Sequence, residues 1–123
     1  MLDFQDMFKE LFELEDPMDK YEWIIDYGVK PSVFTVDKKD KNLVHGCTSK
    51  LWVEKIDKNI YCHGESLIVH GIASMICAWY NQAGERQQLN FSLNTLTNIG
   101  LAPLLSMGRQ NGVANLIAKI KTL

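Results

Sequence analysis

The 123-residue chain lacks the sequence features that define several common classes of protein. It holds only three cysteines, an odd and widely spaced set that speaks against a disulfide scaffold. No apolar run approaches the roughly 20 residues that span a bilayer. A net charge of −2 and a pI near 5.9 give no basic footprint for nucleic acid or an anionic membrane. Because the acidic N-terminus also lacks the features of a signal peptide, we expect a cytoplasmic protein without nucleic-acid or membrane partners.

The composition that is present fits an ordinary globular protein. Hydrophobic residues make up 46% of the chain, which argues against disorder. A chain of this length corresponds to one domain and can bury a real core. We therefore expect a single domain over residues 1–123.

Helical patterns dominate both ends of the chain. Apolar residues recur at helical spacing over residues 4–12. Asp16-Pro17 predicts the capped start of a second helix that stops at Gly28. Residues 29–44 predict a long loop or a short edge strand, and such segments in a compact domain are more often functional than accidental.

A hairpin is predicted in the middle of the chain. Residues 49–56 and 60–63 alternate as two strands around a turn signal. Ser66 and Ser92 are candidate caps of further helices, and a last helix is predicted over residues 107–121. Helices, a hairpin and then helices predict an α+β fold, with a small antiparallel sheet of about three strands packed against several helices.

Cys47 lies where this predicted loop passes into the first strand. Gly46 precedes it, and a thiol beside glycine on a loop can be presented to a partner. Nearby cations, for which His45 and Lys50 are candidates, would raise the thiolate fraction. The alternative is a buried, inert cysteine, the commonest fate of a free thiol.

The positions of the other two cysteines predict a role in packing rather than in chemistry. Cys62 falls on the second strand and Cys77 lies within an apolar helix. No Cys-x-x-Cys or His-x-x-x-His pair appears, and structural zinc sites nearly always show such short spacings. We therefore expect no metal site.

Two weaker readings stay open at this point. A thiol hydrolase or transferase would pair Cys47 with His63 or His70, although nothing in one sequence shows that they meet. Arg109, at the start of the last helix, could bind an anion or sit beside a thiolate, or it could be a solvated surface charge with Gly112 as a close-packing position.

Four motifs, in the right order and spacing, resemble those of the SufE family of sulfur-acceptor proteins. The likeness extends over roughly residues 19–121. It rests on an early helix, a glycine-cysteine signature before a strand with tryptophan, a strand-to-helix junction, and a helix start containing arginine and glycine. These are residues 20–28, 44–52, 64–71 and 109–112.

The resemblance implies a function and a partner. A pyridoxal-phosphate cysteine desulfurase, SufS-like, holds sulfur as a persulfide, and Cys47 would accept that sulfur and pass it to an iron–sulfur scaffold. The acceptor would stimulate the desulfurase, bind no cofactor and not be a stand-alone enzyme. Arg109 would serve the partner interface or support the thiolate, and the loop would be supported by His45, Gly46, Thr48 and Ser49.

The chain departs from the family pattern in places. Gly108 stands where a serine is usual, so Ser106 is the candidate replacement cap, and Thr97 stands at a commonly acidic position. An iron–sulfur cluster scaffold, which would share a similar fold, remains an alternative to the sulfur acceptor. If Cys47 is the acceptor, we expect it to rest against apolar neighbours and to swing out on docking.

Overall fold

The computed structural model describes residues 3–30 and 35–123. Its elements are seven helices and one hairpin in the order helices, hairpin, helices. Two short 3-10 turns, Asp40–Asn42 and Ala102–Leu104, interrupt the loops. The bounds are α1 Phe4–Met7, α2 Lys9–Glu13, α3 Pro17–Gly28, β1 Leu51–Ile56, β2 Asn59–Gly64, α4 Leu67–Tyr80, α5 Glu85–Asn90, α6 Leu93–Asn98 and α7 Met107–Ile120. The α+β class is confirmed.

The sheet has two strands, so the prediction of about three is wrong. Strands β1 and β2 pair antiparallel, from Leu51 opposite Gly64 to Ile56 opposite Asn59. Within the described residues, the preceding segment adds only an isolated bridge between Leu43 and Trp52. That segment turns through the 3-10 stretch just before the bridge, so it cannot run on as a strand.

Helix α4 is the centre of the core. Its side chains Ile72, Met75 and Ile76 are fully buried, because α3 packs on one side of the helix and the hairpin on another. This burial agrees with the nearly all-apolar sequence of the helix.

Two glycines set the crossing of α3 and α4. A β-carbon on Gly28 would lie 2.8 Å from the Cα of Gly71, and one on Gly71 would run into the backbone of Ile24. Gly28 does end α3, as predicted, but its structural role is close approach between helices rather than a left-handed stop.

Short sequence motifs predicted some helix ends correctly and missed others. Asp16 caps α3 by accepting a hydrogen bond from the amide of Met18 at 2.9 Å, and Ser66 sits at the N-cap of α4. The predicted N-terminal helix is broken at Phe8 into α1 and α2, and α5 was not predicted. No helix formed by residues 3–30 or 35–123 combines the length and apolarity that crossing a membrane requires.

Candidate functional site

The loop of residues 45–50 is pinned at both of its ends. The amide of Val44 donates to the carbonyl of Leu51 at 2.7 Å, and the amide of Glu65 donates to the carbonyl of Lys50 at 2.9 Å. Val44 and Leu51 are both buried. The loop therefore projects from a fixed base at the start of the hairpin, with Cys47 within it.

Gly46 shapes the loop for two reasons. Its φ is +82°, in the left-handed region that favours glycine. A β-carbon there would also collide with the side-chain amide of Asn115 on α7. Gly46 therefore supports the loop through a turn and a close approach to α7.

Three successive loop residues rest on one face of α7. A β-carbon on Gly112 would overlap the Cys47 sulfur and lie 2.9 Å from the Cys47 β-carbon. A β-carbon on Gly108 would collide with the Thr48 methyl group. Positions 108, 112 and 115 lie four and three residues apart, the spacing of neighbours on a helix surface. We call Gly108, Gly112 and Asn115 the α7 seat.

The seat contains two glycines that the sequence singled out, Gly108 and Gly112, and adds Asn115. Because Gly108 has no side chain, there is room for Thr48 beside it. Ser106 occupies the N-cap position of α7, as expected, but its side chain makes no capping hydrogen bond. The expected close packing at Gly112 is confirmed, whereas Asn115 was missed.

Cys47 is half-buried and packs against the edge of the hydrophobic core. This placement agrees with the expectation of a thiol that rests against apolar neighbours. His45, Gly46 and Thr48 are exposed around it, and Ser49 is half-buried. The Ser49 hydroxyl is buried without a hydrogen-bond partner among the described residues, which makes the resting loop less favourable than a fully satisfied one.

Arg109 lies on α7 one turn before Gly112. It is half-buried, and the described part of the chain offers it neither a salt bridge nor a hydrogen bond. The guanidinium thus carries an uncompensated charge on the helix that receives the thiol. The neighbouring Gln110 instead donates from its side chain to the carbonyl of Leu105 at 2.9 Å, which fixes the start of the helix.

His70 is committed to the backbone of two other elements. Its Nδ1 accepts from the amide of Gly64 at 3.0 Å, and its Nε2 lies 2.8 Å from the carbonyl of Gly28. An amide can only donate and a carbonyl can only accept, so this arrangement requires the neutral imidazole with its proton on Nε2. His70 therefore ties α3, β2 and α4 together and is not positioned as a base for Cys47.

His63 also serves the hairpin rather than the thiol. Its ring centroid lies 6.0 Å from that of Trp52 and 5.1 Å from that of His70. Burial, followed by the nearby charges of Lys38 and His70, lowers the pKa of His63 below 6.5. Between Cys47 and the histidines, all of which are described, no hydrogen bond forms, so the dyad of a hydrolase is not assembled.

The remaining candidate ligands do not converge. Across residues 3–30 and 35–123, no group of three or more His, Cys, Asp or Glu side chains lies close enough together to hold a metal ion. The scaffold alternative therefore has no candidate ligand set in this part of the chain.

Comparison with known proteins gives this geometry a family. Residues 5–123 match the model of SufE, the Fe-S metabolism associated domain. The chain belongs to the SufE family. That family acts in iron–sulfur metabolism as a sulfur carrier and activator associated with cysteine desulfurases, rather than as a stand-alone enzyme.

Curated SufE relatives match over most of this chain. An uncharacterized SufE-like protein of Rhizobium meliloti is 29% identical over 89% of this chain and 85% of its own. The cysteine desulfuration protein SufE of Wigglesworthia glossinidia brevipalpis is 28% identical over 92% of this chain and 83% of its own. The chloroplastic/mitochondrial SufE-like protein 1 of Arabidopsis thaliana is 24% identical over 92% of this chain but only 32% of its own.

Proposed function

We propose that this SufE protein accepts sulfur on Cys47 from the persulfide of a pyridoxal-phosphate cysteine desulfurase, stimulates that enzyme, and passes the sulfur to an iron–sulfur scaffold. The observation that carries the proposal is the placement of Cys47. Among the described residues, the backbone hydrogen bonds of its loop lie at the base of the loop, and no histidine hydrogen-bonds its thiol to form a catalytic dyad.

The transfer chemistry needs little from the acceptor beyond a thiolate. The Cys47 thiolate attacks the outer sulfur of the desulfurase persulfide, and a new sulfur–sulfur bond forms. The bond between the two desulfurase sulfurs breaks, and its electron pair leaves on the desulfurase cysteine. Because that thiolate is a good leaving group when its pKa is low, no general acid is required on this chain.

The α7 seat supports a loop that can leave its resting place. Cys47 and Thr48 contact the seat at glycines. At these two positions α7 therefore presents no side chain that would interlock with the loop. Moving the loop out also frees the unsatisfied Ser49 hydroxyl to meet water. Every 1.4 kcal/mol by which the resting position of the loop is favoured lowers the population of the released loop about tenfold. A loop that is held only weakly therefore keeps the thiol protected at rest but available to a partner.

Arg109 supports the approach of a partner. Because no described acidic group neutralises it, its charge can meet an acidic group of the docking desulfurase or stabilise the thiolate as the loop moves. Charges at an interface mainly raise the association rate.

The test is sulfur uptake followed by intact mass. The protein is incubated with a cysteine desulfurase and free cysteine, and its mass is measured without reductant. Wild type and a Cys62→Ser control should each gain one sulfur atom and stimulate the desulfurase, whereas Cys47→Ser should do neither. An equal sulfur gain in Cys47→Ser would overturn the proposal.

A further inference from the structure

A second thiol site lies away from the loop, beside a cavity of about 260 Å³. The cavity opens between the end of α3, strand β2 and one face of α4, and its walls include Tyr27, Cys62, Ser74 and Cys77. Among its described lining residues, none belongs to the loop of residues 45–50 or to α7. The site is therefore separate from the seat of Cys47.

The two cysteines line the same cavity, Cys62 from β2 and Cys77 from α4. Cys62 is half-buried, and its sulfur lies 3.9 Å from the hydroxyl oxygen of Ser74. Cys77 follows Ser74 by three residues and thus lies on the same face of α4. It is only 3% exposed, so Cys62 is the accessible member of the pair.

The electrostatics agree with two thiols at one cavity. Interaction with the Cys62 side chain, followed by burial, raises the pKa of the Cys77 thiol well above its usual value. Burial and then the proximity of both thiols also raise the pKa of Tyr27. Cys77 is therefore held as a neutral thiol, and attack by a reagent must begin at Cys62.

We propose that Cys62 and Cys77 form a dithiol site that a hydroperoxide converts to an intramolecular disulfide, independently of sulfur acceptance at Cys47. The cavity beside them gives the side chains room to rotate into the geometry that a disulfide requires. The closed bond would fasten β2 to α4, the two elements that pack together at the centre of the fold.

Two balanced steps produce the disulfide. The sulfur of Cys62 attacks one peroxide oxygen, the oxygen–oxygen bond breaks, and Cys62 becomes a sulfenic acid as water, or an alcohol, is released. The sulfur of Cys77 then attacks the sulfenic sulfur, the sulfur–oxygen bond breaks, and the proton of Cys77 leaves with the hydroxyl as water. The two thiols lose two electrons in total, and the peroxide accepts both.

The experiment uses Cys47→Ser so that the loop thiol cannot react. The variant is treated with hydrogen peroxide and mapped without reductant. We expect the loss of two hydrogen atoms, a cross-linked pair of peptides holding Cys62 and Cys77, and full reversal by dithiothreitol. Oxygen addition at Cys62 with Cys77 left free, or no reaction at either thiol, would overturn the proposal.

Two further variants separate the roles of the thiols. In Cys47→Ser/Cys77→Ala, Cys62 should collect oxygen atoms without a cross-link. In Cys47→Ser/Cys62→Ala, Cys77 should oxidise at least about tenfold more slowly, because it is buried and held as a thiol. Equal oxidation of Cys77 with and without Cys62 would contradict the proposed order. The cross-link map of Cys47→Ser alone decides the matter if a core variant fails to fold.

Discussion

The surroundings of Cys47 and of the pair Cys62 and Cys77 differ in what holds them. Cys62 lies within a hydrogen-bonded strand and Cys77 within a long buried helix. Cys47 lies in a loop whose described backbone ties are at its base, and it rests on glycines of α7. A thiol that must reach a protein partner needs to lie in a loop, as Cys47 does. A thiol held in a strand or a buried helix, as Cys62 and Cys77 are, can meet only small molecules.

The largest effect that should separate the two regions is a loss of stability in His70→Ala. The change removes both hydrogen bonds that tie α3, β2 and α4 and leaves the amide of Gly64 and the carbonyl of Gly28 unpaired. We expect the free energy of unfolding to fall by about 2–3 kcal/mol in urea titrations. Exposed His45→Ala is the control and should cost less than about 0.5 kcal/mol.

The same variant shows whether the Cys47 loop is independent of the hydrogen bonds made by His70. At temperatures where His70→Ala remains folded, the alkylation rate of Cys47 should match that of wild type, because the variant leaves the α7 seat intact. A large rise in that rate would show that the position of the loop depends on the elements that His70 ties together. The two regions would then not be independent.

The second effect is release of the loop in Gly112→Ala. The new methyl group would overlap the resting position of the Cys47 sulfur, so the loop should be displaced. We expect iodoacetamide to label Cys47 about tenfold faster, equivalent to about 1.4 kcal/mol of resting preference lost. Site-resolved mass spectrometry would measure the labelling of each cysteine.

Gly84→Ala is the matched control for this change, because a β-carbon at Gly84 meets no atom within 4 Å. It should leave the labelling of Cys47 unchanged. If the seat did not exist, Gly112→Ala would instead stabilise α7 by up to about 1 kcal/mol through helix propensity, without altering access to the thiol. That outcome would contradict the described packing.

The third effect concerns docking. Arg109→Ala should slow sulfur uptake by several-fold, up to about tenfold, at limiting protein concentration and low salt, because an interface charge chiefly sets the association rate. Exposed Arg86→Ala on α5 should behave like wild type. Equal uptake rates in both variants would show that Arg109 is only a solvated surface charge.

The smallest effect is a pH dependence carried by His63. Its pKa is lowered by burial first, and then by Lys38 and His70, so the folded state binds this proton less readily than the unfolded chain. The stability contribution is therefore complete above the unfolded pKa of about 6.5 and is lost as pH falls below it. Urea midpoints at about pH 7.5 and about pH 5.5 should differ less in His63→Gln than in wild type, and equal differences would refute the assignment.

The sequence predicted the features that are encoded locally. Asp16 and Ser66 mark the starts of α3 and α4 because an N-cap is a matter of a few adjacent residues. The hairpin was placed within two residues because strand alternation and its turn are equally local. Helix α5 was missed because its N-cap, Gly84, has no side chain to mark the helix start, and because the helix buries none of its residues.

The candidate site was predicted only in part, for the same reason. Cys47 and Gly46 stand out in the sequence as a thiol on a loop, but the seat joins that loop to Gly108 and Gly112, some 60 residues away in the sequence. Nothing periodic links such distant positions. The meeting of Cys62 and Cys77 at one cavity depends likewise on how α4 packs on β2, which no local pattern specifies.

The most direct test of the central claim is to locate the transferred sulfur in the wild-type protein, where all three thiols compete. After reaction with a cysteine desulfurase and free cysteine, the peptides are mapped by mass spectrometry without reductant. The account predicts the extra sulfur on the peptide that contains Cys47, with Cys62 and Cys77 unmodified. Sulfur found mainly on Cys62 or Cys77 would contradict it.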